Sequence, residues 1–208
     1  MRNLTRRIPI LLALLLATPA FGGTILFLGD SLTAGLGVST AEAYPALIEQ
    51  KIQEKKLPFS VINAGISGDT TAGGLARLEW VLQKKIDVLV IALGANDGLR
   101  GLPVAQMKTN LQAMIEQAKA KNPEVKIVIA GMRMPSNLGG EYSDAFQKVF
   151  ADLAQENNAL LIPFLLEGVG GHRELNQADQ MHPTAAGHKI IAENVWRVLE
   201  PFLTKSGS

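Results

Sequence analysis

Five short runs of uninterrupted apolar residues recur along the chain, and each is followed by a stretch with helical periodicity. The apolar runs cover residues 25–28, 59–62, 88–93, 125–130 and 160–162, and the helical stretches cover residues 41–56, 71–85, 103–121, 142–157 and 184–203. Strands that are apolar on both faces are typical of a parallel sheet covered by helices. The alternation therefore predicts a three-layer α/β/α domain with a five-stranded parallel sheet of flavodoxin-like order 2-1-3-4-5.

The start of the chain has the composition of an export signal. Three arginines in the first seven residues precede an apolar run over residues 8–16, and small residues follow up to Gly22. A membrane-spanning helix needs about 20 predominantly apolar residues, so this run is too short to serve as an anchor. We therefore predict that residues 1–22 are a cleaved signal peptide. Residues 23–208 are expected to form a single domain in the periplasm or outside the cell, without a stable membrane anchor.

Charge and cysteine content narrow the functional classes. The formal net charge is +1 and no basic stripe is present, so the sequence predicts no nucleic-acid partner. The chain has no cysteine, which excludes a thiol nucleophile, disulfides and cysteine-ligated metal centres. Its three histidines have no recognisable zinc-binding spacing, so no metal is expected. Chemistry must come from hydroxyls, carboxylates and imidazoles.

Ser31 directly follows the first predicted strand, between Gly29 and Gly35. In parallel α/β sheets, ligands bind beyond the carboxyl ends of the strands, so this position favours a nucleophilic hydroxyl. The alternative interpretation is a serine that caps the N-terminus of a helix. The surrounding residues do not form the Gly-x-Ser-x-Gly nucleophile elbow, which argues against an α/β-hydrolase fold.

Asp179 and His182 lie three residues apart, just before the last predicted helix. This spacing allows one loop to direct the carboxylate at the imidazole, as in the orienting half of a Ser-His-Asp triad. The alternative for His182 is a residue whose ring only satisfies a backbone group at the helix start. For His172, in a glycine-rich loop, and His188, inside the last helical stretch, we predict solvated or packing roles.

Hydrolysis of an acyl group also needs hydrogen-bond donors for the oxyanion. The candidates are the Gly68 N–H after the second strand, the Asn96 side-chain amide after the third, and the Ser31 N–H. Taken singly, the glycine can be a simple turn residue and the asparagine can close an Asx turn. Taken together, four separate strand-end loops present a serine, a glycine, an asparagine and an Asp/His pair. This joint arrangement favours an active site over four unrelated turns.

Four sequence blocks resemble those of the GDSL, or SGNH, hydrolase family. They are Gly29-Asp30-Ser31-Leu32, Gly68 within Ile66-Ser-Gly-Asp69, Gly94-Ala95-Asn96-Asp97, and Asp179-x-x-His182. Longer strings, such as Ser67-Gly-Asp-Thr70 and Gly74-Leu-Ala-Arg-Leu78, are similar to the thioesterase and lysophospholipase branch of that family. Ala95 departs from that branch, which has a second glycine there, and the loop over residues 168–171 is unusually rich in glycine.

The resemblance implies the SGNH-hydrolase fold and a role for each site residue. Ser31 is the implied nucleophile, His182 the base and Asp179 its orienter, with an oxyanion hole made by Ser31 N–H, Gly68 N–H and the Asn96 amide. The implied reaction is cofactor-free hydrolysis of small-molecule acyl esters and thioesters, including lysophospholipids and aryl esters, by a monomer. Apolar residues of two loops are candidates to line an acyl groove, and the alternative is that several of them fill the core: Met132, Met134, Leu138, Leu165 and Leu166.

Three alternative functions remain open from the sequence alone. Within the family, the same blocks can serve a carbohydrate O-deacetylase. A flavodoxin-like binding module could use the loop over residues 29–35 as a phosphate cradle. Against this, Asp30 and Asp69 place negative charge where an anion would bind. A purely structural exported domain would leave the Ser, His and Asp arrangement unexplained.

Overall fold

The computed structural model describes residues 22–135 and 139–206. Its strands are β1 (Gly23–Gly29), β2 (Phe59–Gly65), β3 (Val88–Ala92), β4 (Lys126–Ala130) and β5 (Leu160–Ile162). Its helices are α1 (Ser31–Ala34), α2 (Tyr44–Glu54), α3 (Thr71–Val81), α4 (Ala95–Leu99), α5 (Val104–Lys121), α6 (Gly140–Asn157) and α7 (Ala185–Ser206). Except for Gly22, the predicted signal peptide lies outside the described residues.

All neighbouring strands are parallel, and the sheet order is β2-β1-β3-β4-β5. This confirms the predicted fold class and strand order. Gly29 at the end of β1 pairs with Gly65 of β2 on one side and with Ala92 of β3 on the other. β2, β1 and β3 therefore end side by side, and the segments that follow them meet at one edge of the sheet.

The sheet forms the centre of the hydrophobic core. All five residues of β3 are buried, as expected for a strand covered on both faces. Helices lie on both sides of it: α2 packs against α7, α3 packs against α5, and α5 packs against α6. Phe27 of β1 meets the ring of Tyr44 edge-on, with ring centroids 5.5 Å apart. Burial of a large apolar side chain of this kind stabilises a fold by about 1.5–3 kcal/mol.

Two short helices, α1 and α4, were not predicted from the sequence. Each has only four or five residues, which is too short for a 3.6-residue pattern to be recognised. Both begin directly after central strands, and both carry candidate site residues. β2 is longer than predicted because its pairing with β1 continues to Gly65.

Within residues 22–135 and 139–206, no helix is both long enough and apolar enough to cross a lipid bilayer.

Candidate active site

The turn from β1 into α1 places Ser31 at the edge of the sheet. Asp30 caps α1, because its carboxylate accepts a hydrogen bond from the Leu32 N–H at 3.0 Å. The alternative interpretation of Ser31 as the helix cap is therefore wrong: Asp30 has that role, and Ser31 is the first helical residue. The helix ends after one turn at Gly35, whose φ of 77° is left-handed and suits glycine. This leaves the Ser31 hydroxyl free for other partners.

The loop before α7 holds His182 in one orientation. One carboxylate oxygen of Asp179 accepts hydrogen bonds from the backbone N–H groups of Met181 (2.9 Å) and His182 (3.0 Å). The carbonyl of His182 accepts from the Gln177 N–H at 2.7 Å, which closes the loop on itself. The Gln177 side-chain amide also donates to the Leu36 carbonyl at 2.7 Å. This bond ties the histidine loop to the segment that follows α1.

Ser31, His182 and Asp179 lie in a hydrogen-bonded row. The Nε2 atom of His182 is 2.9 Å from the Ser31 Oγ atom, and its Nδ1 atom is 2.6 Å from the second carboxylate oxygen of Asp179. An ionised carboxylate can only accept hydrogen bonds, so Nδ1 carries the proton and Nε2 accepts from the serine hydroxyl. The imidazole is thus held in the tautomer that can remove a proton from Ser31.

The Asp179 carboxylate is stabilised in its charged form although 40% of the side chain is exposed. The His182 backbone N–H, the His182 ring and the Met181 N–H all donate to it, and they hold the pKa of Asp179 well below its ordinary value. Asp179 is therefore ionised at neutral pH.

The predicted oxyanion donors come from segments that follow three neighbouring strands: Ser31 begins α1, Gly68 lies in the loop after β2, and Asn96 lies in α4. Gly68 has a φ of 82°, a left-handed conformation that favours glycine. The backbone N–H groups of Ser31 and Gly68 have no hydrogen-bond partner among the described residues. The Asn96 side-chain amide donates to the Asp69 carbonyl at 3.0 Å, while its contact with an Asp30 carboxylate oxygen is longer, at 3.4 Å. The second N–H of the Asn96 amide therefore makes only a weak hydrogen bond.

The other two histidines lie apart from this row. His172 is exposed, and its nearest charged partner is Glu174 at 3.6 Å. His188 is fully buried, where its ring stacks on Tyr44 and its Nδ1 accepts the Tyr44 N–H at 3.3 Å. Its Nε2 atom has no partner among the described residues. The solvated and packing roles that we predicted from the sequence fit these two environments.

An open cleft of about 470 Å³ begins at Ser31 and His182. Its lining is mainly apolar: Leu32, Ala95, Leu99, Met132, Met134, Pro135, Phe164, Leu166 and Met181. Met132, Met134 and Leu166 therefore lie where the sequence predicted a groove. Leu165 follows the alternative interpretation, because its side chain is buried in the core at 1% exposure. Leu138 lies outside the described residues.

Three residues that contact the site were not predicted from the sequence to have a role in it. Asp30 caps the helix of Ser31, Gln177 fixes the histidine loop, and Arg77 donates to both Asp69 and the Gly29 carbonyl. The bonds of Gln177 to Leu36 and of Arg77 to Gly29 join residues that are far apart in sequence, so no local pattern indicates them. The cap made by Asp30 is local, but it was missed because α1 is too short to be predicted. For Arg77 the signal was its place in the string Gly74-Leu-Ala-Arg-Leu78.

Two curated proteins are similar to this chain over most of its length. Esterase TesA of Pseudomonas aeruginosa is 43% identical over 194 residues, which cover 92% of this chain and 96% of that protein. Thioesterase 1/protease 1/lysophospholipase L1 of Escherichia coli is 38% identical over 193 residues, which cover 92% of this chain and 90% of that protein.

A solved structure supports the same relationship. The psychrotrophic esterase EstA from a Pseudoalteromonas species, inhibited by monoethylphosphonate, has a TM-score of 0.82 and 34% sequence identity to this chain. The superposition covers 88% of this chain and 99% of EstA. Residues 27–190 match the GDSL-like Lipase/Acylhydrolase family, a span that includes all four motif blocks. The resemblance seen in the sequence is therefore confirmed, and the chain belongs to the GDSL-like lipase/acylhydrolase family.

Proposed function

We propose that this protein hydrolyses carboxylic esters and thioesters through an acyl-enzyme formed on Ser31. The observation that carries the proposal is the hydrogen-bonded row at the mouth of an apolar cleft: Ser31 Oγ to His182 Nε2 at 2.9 Å, and His182 Nδ1 to Asp179 at 2.6 Å. A serine hydroxyl is a weak nucleophile until an adjacent base accepts its proton. The imidazole of His182 is within reach of that proton and is oriented by a carboxylate.

In the first half-reaction the Ser31 Oγ attacks the acyl carbonyl carbon while His182 Nε2 takes the hydroxyl proton. The carbonyl oxygen becomes an oxyanion, which the Ser31 N–H, the Gly68 N–H and the Asn96 amide stabilise. The tetrahedral intermediate then collapses, the bond to the alcohol or thiol breaks, and His182 returns the proton to this leaving group. Asp179 keeps the imidazole in place and stabilises its positive charge.

In the second half-reaction a water molecule replaces the leaving group. His182 removes a proton from the water, whose oxygen attacks the acyl carbon of the Ser31 ester. The same donors stabilise the second oxyanion. Its collapse breaks the bond to Oγ, and His182 returns the proton to Ser31, which releases the carboxylic acid.

The cleft supports acyl chains rather than acetylated sugars as substrates. Its mainly apolar lining suits a hydrocarbon chain, and Ser31 and His182 line the same cleft. The relatives are named for esterase, thioesterase and lysophospholipase activities. We therefore assign medium and long acyl esters and thioesters, lysophospholipids and aryl esters as the substrate class of this chain.

A series of p-nitrophenyl esters from acetate to palmitate, with fatty acyl thioesters and acetylated xylan in parallel, tests this assignment. We expect kcat/KM to rise from acetate to medium chain lengths and thioester cleavage to accompany it. Labelling with a fluorophosphonate probe, followed by peptide mapping, is expected to modify Ser31. Activity confined to acetate, with faster turnover of acetylated xylan, would instead favour a carbohydrate O-deacetylase.

The proposed setting is the periplasm or the medium outside the cell. There, residues 23–208 act as a single hydrolase domain after removal of residues 1–22. We expect a monomer that acts on small-molecule substrates, binds no nucleic acid and keeps no stable membrane anchor. Mass spectrometry of exported protein should find an N-terminus near Phe21 or Gly23, whereas an intact Met1 terminus would contradict the signal peptide. Light scattering of purified protein tests the monomeric state.

A further inference from the structure

Arg77, on α3, makes two polar contacts beneath the proposed oxyanion hole. Its Nε–H donates to the Asp69 carboxylate at 2.7 Å, and its Nη2 group donates to the Gly29 carbonyl at 3.1 Å. The side chains of Arg77 and Asp69 are only 17% and 11% exposed, so this ion pair is largely shielded from water. The stability of a shielded ion pair depends more on its geometry than that of an exposed pair, and removal of one partner destabilises the fold more.

Both acceptors of Arg77 belong to backbone that carries the proposed oxyanion donors. Gly29 lies two residues before Ser31, and Asp69 directly follows Gly68. The backbone carbonyl of Asp69 also accepts a hydrogen bond from the Asn96 amide at 3.0 Å. Arg77 therefore connects the segments that present the Ser31 N–H, the Gly68 N–H and the Asn96 side chain.

The guanidinium group suits this connection better than another cation. Its planar fork presents Nε–H and Nη2–H in a fixed relative geometry, so both acceptors are held at once. A lysine ammonium in this place can supply the charge but not the fork.

The local charge balance also requires a cation here. Asp30 is buried at 1% exposure close to Asn96, and Asp69 lies on the adjacent loop. Burial, the largest effect, raises the pKa of Asp30 to about 6, so Asp30 is ionised at neutral pH. Two carboxylates beside a forming oxyanion oppose its charge, and Arg77 pairs with one of them.

We propose that Arg77 is a positioning residue for the oxyanion hole: it holds the Gly29 and Asp69 segments so that the three donors converge on the carbonyl oxygen. The inference rests on the proposed hydrolysis through Ser31. Arg77 does not touch the substrate. It acts on the transition state, in which negative charge develops on the carbonyl oxygen. Its loss therefore lowers kcat and leaves KM nearly unchanged.

The test compares wild-type protein with the Arg77→Gln and Arg77→Lys variants, and with Arg197→Gln as a control. Arg197 also donates to a neighbouring side chain, Asn194, but lies on α7 away from the Ser31 cleft. The measurements are kcat and KM for a p-nitrophenyl ester, normalised to sites labelled by a fluorophosphonate, together with the melting temperature. Affinity for a trifluoromethyl ketone, whose adduct with serine carries an oxyanion, is measured in parallel.

For Arg77→Gln we expect kcat per labelled site to fall about 10- to 100-fold, the scale of a small misplacement in an active site. KM should change less than about 3-fold, and ketone affinity should fall in the same proportion as kcat/KM. Arg77→Lys should recover part of the melting temperature while kcat stays low. Arg197→Gln should keep wild-type kcat. If Arg77→Gln does not fold, Arg77→Lys is used for the test, because it keeps the positive charge; its kcat per labelled site should still be low.

The outcomes separate the two proposals. If the wild-type protein neither reacts with the fluorophosphonate nor turns over esters, both the proposed function and the role of Arg77 are overturned. If the wild-type protein is active and Arg77→Gln loses only thermal stability, at unchanged kcat per labelled site, the role of Arg77 alone is overturned. Full recovery of kcat in Arg77→Lys would also overturn it, since charge without the fork would then suffice.

Discussion

The Nε2 atom of His182 lies 2.9 Å from the Oγ atom of Ser31, although 151 positions separate the two residues in the chain. Ser31 is carried by the turn after β1, and His182 by the loop before α7. The bond from Gln177 to the Leu36 carbonyl holds these two segments together. The proposed nucleophile and its base therefore meet only when the first strand and the last helix are both in place.

Substitution of Ser31 by alanine should abolish ester hydrolysis and leave the fold intact. The hydroxyl is required for the covalent step, whereas its removal takes away only one small polar group at the end of a strand. Loss of a triad member costs on the order of 10⁴-fold or more in kcat. Turnover is measured with a p-nitrophenyl ester and folding by a thermal melt. Near-normal turnover by a well-folded variant would refute the mechanism.

The sheet is the part of this molecule that its sequence predicts best. Uninterrupted apolar runs such as residues 88–93 leave few alternatives to a parallel sheet, and the strand order follows from the usual connections between such strands. Ser31, Gly68 and Asn96 lie at the edge of the sheet because each follows a strand within a few residues, whereas Asp179 and His182 reach it through the loop before α7.

Contacts between distant segments could not be predicted in the same way. The hydrogen bonds of Arg77 to Asp69 and Gly29 depend on how α3 lies against the end of β1, which no local pattern encodes. The sequence left open whether Leu165 and Leu166, which are adjacent in one apolar loop, line the groove or fill the core. Adjacent residues of a loop can face opposite sides, and the backbone course decides which one enters the core.

Asp179→Asn should lower kcat strongly, whereas His172→Ala should leave it unchanged. An asparagine in place of Asp179 presents no charged acceptor to the Nδ1–H, so the imidazole loses its fixed tautomer and the support for its positive charge. In a Ser-His-Asp triad this change lowers kcat by about 10⁴-fold. His172 is the matched control because it is exposed and lies outside the hydrogen-bonded row. If steady-state kinetics found His172→Ala as damaging as His182→Ala, the assignment of His182 as the base would fail.

Leu99→Glu should reduce activity on long acyl esters more than on acetate. Leu99 lines the cleft and is half exposed, so a charge there meets a bound acyl chain without disturbing the core. Loss of contact with one or two methylene groups, each worth about 0.8 kcal/mol, predicts a fall of about 10-fold in kcat/KM for an octanoate ester. Trp80→Glu is the control, since Trp80 is 71% exposed and does not line this cleft. Equal losses on acetate and octanoate would mean that the chain binds elsewhere.

Asn96→Ala should lower kcat far more than it changes KM. The amide is proposed to meet a charge that exists only in the transition state, so binding of the neutral ester uses it little. Loss of one oxyanion-hole donor costs roughly 10²–10³ in kcat, or about 3–4 kcal/mol. Turnover is normalised to labelled active sites and compared with a thermal melt. A purely structural Asn96 would give a lower melting temperature with an unchanged kcat.

Acidification from about pH 6.5 to about pH 4 should destabilise the wild-type protein more than a His188→Asn variant. Burial lowers the pKa of His188 from 6.5 to about 4, so in this range the unfolded chain binds a proton that the folded chain does not. The free energy of unfolding must therefore fall with falling pH, by about 3 kcal/mol over the whole window. Asparagine can still accept the Tyr44 N–H but does not titrate, and the contributions of Asp30 and the other groups cancel in the comparison. Urea unfolding at several pH values measures the difference. If the free energy of unfolding fell equally with pH in the two proteins, the lowered pKa of His188 would be contradicted.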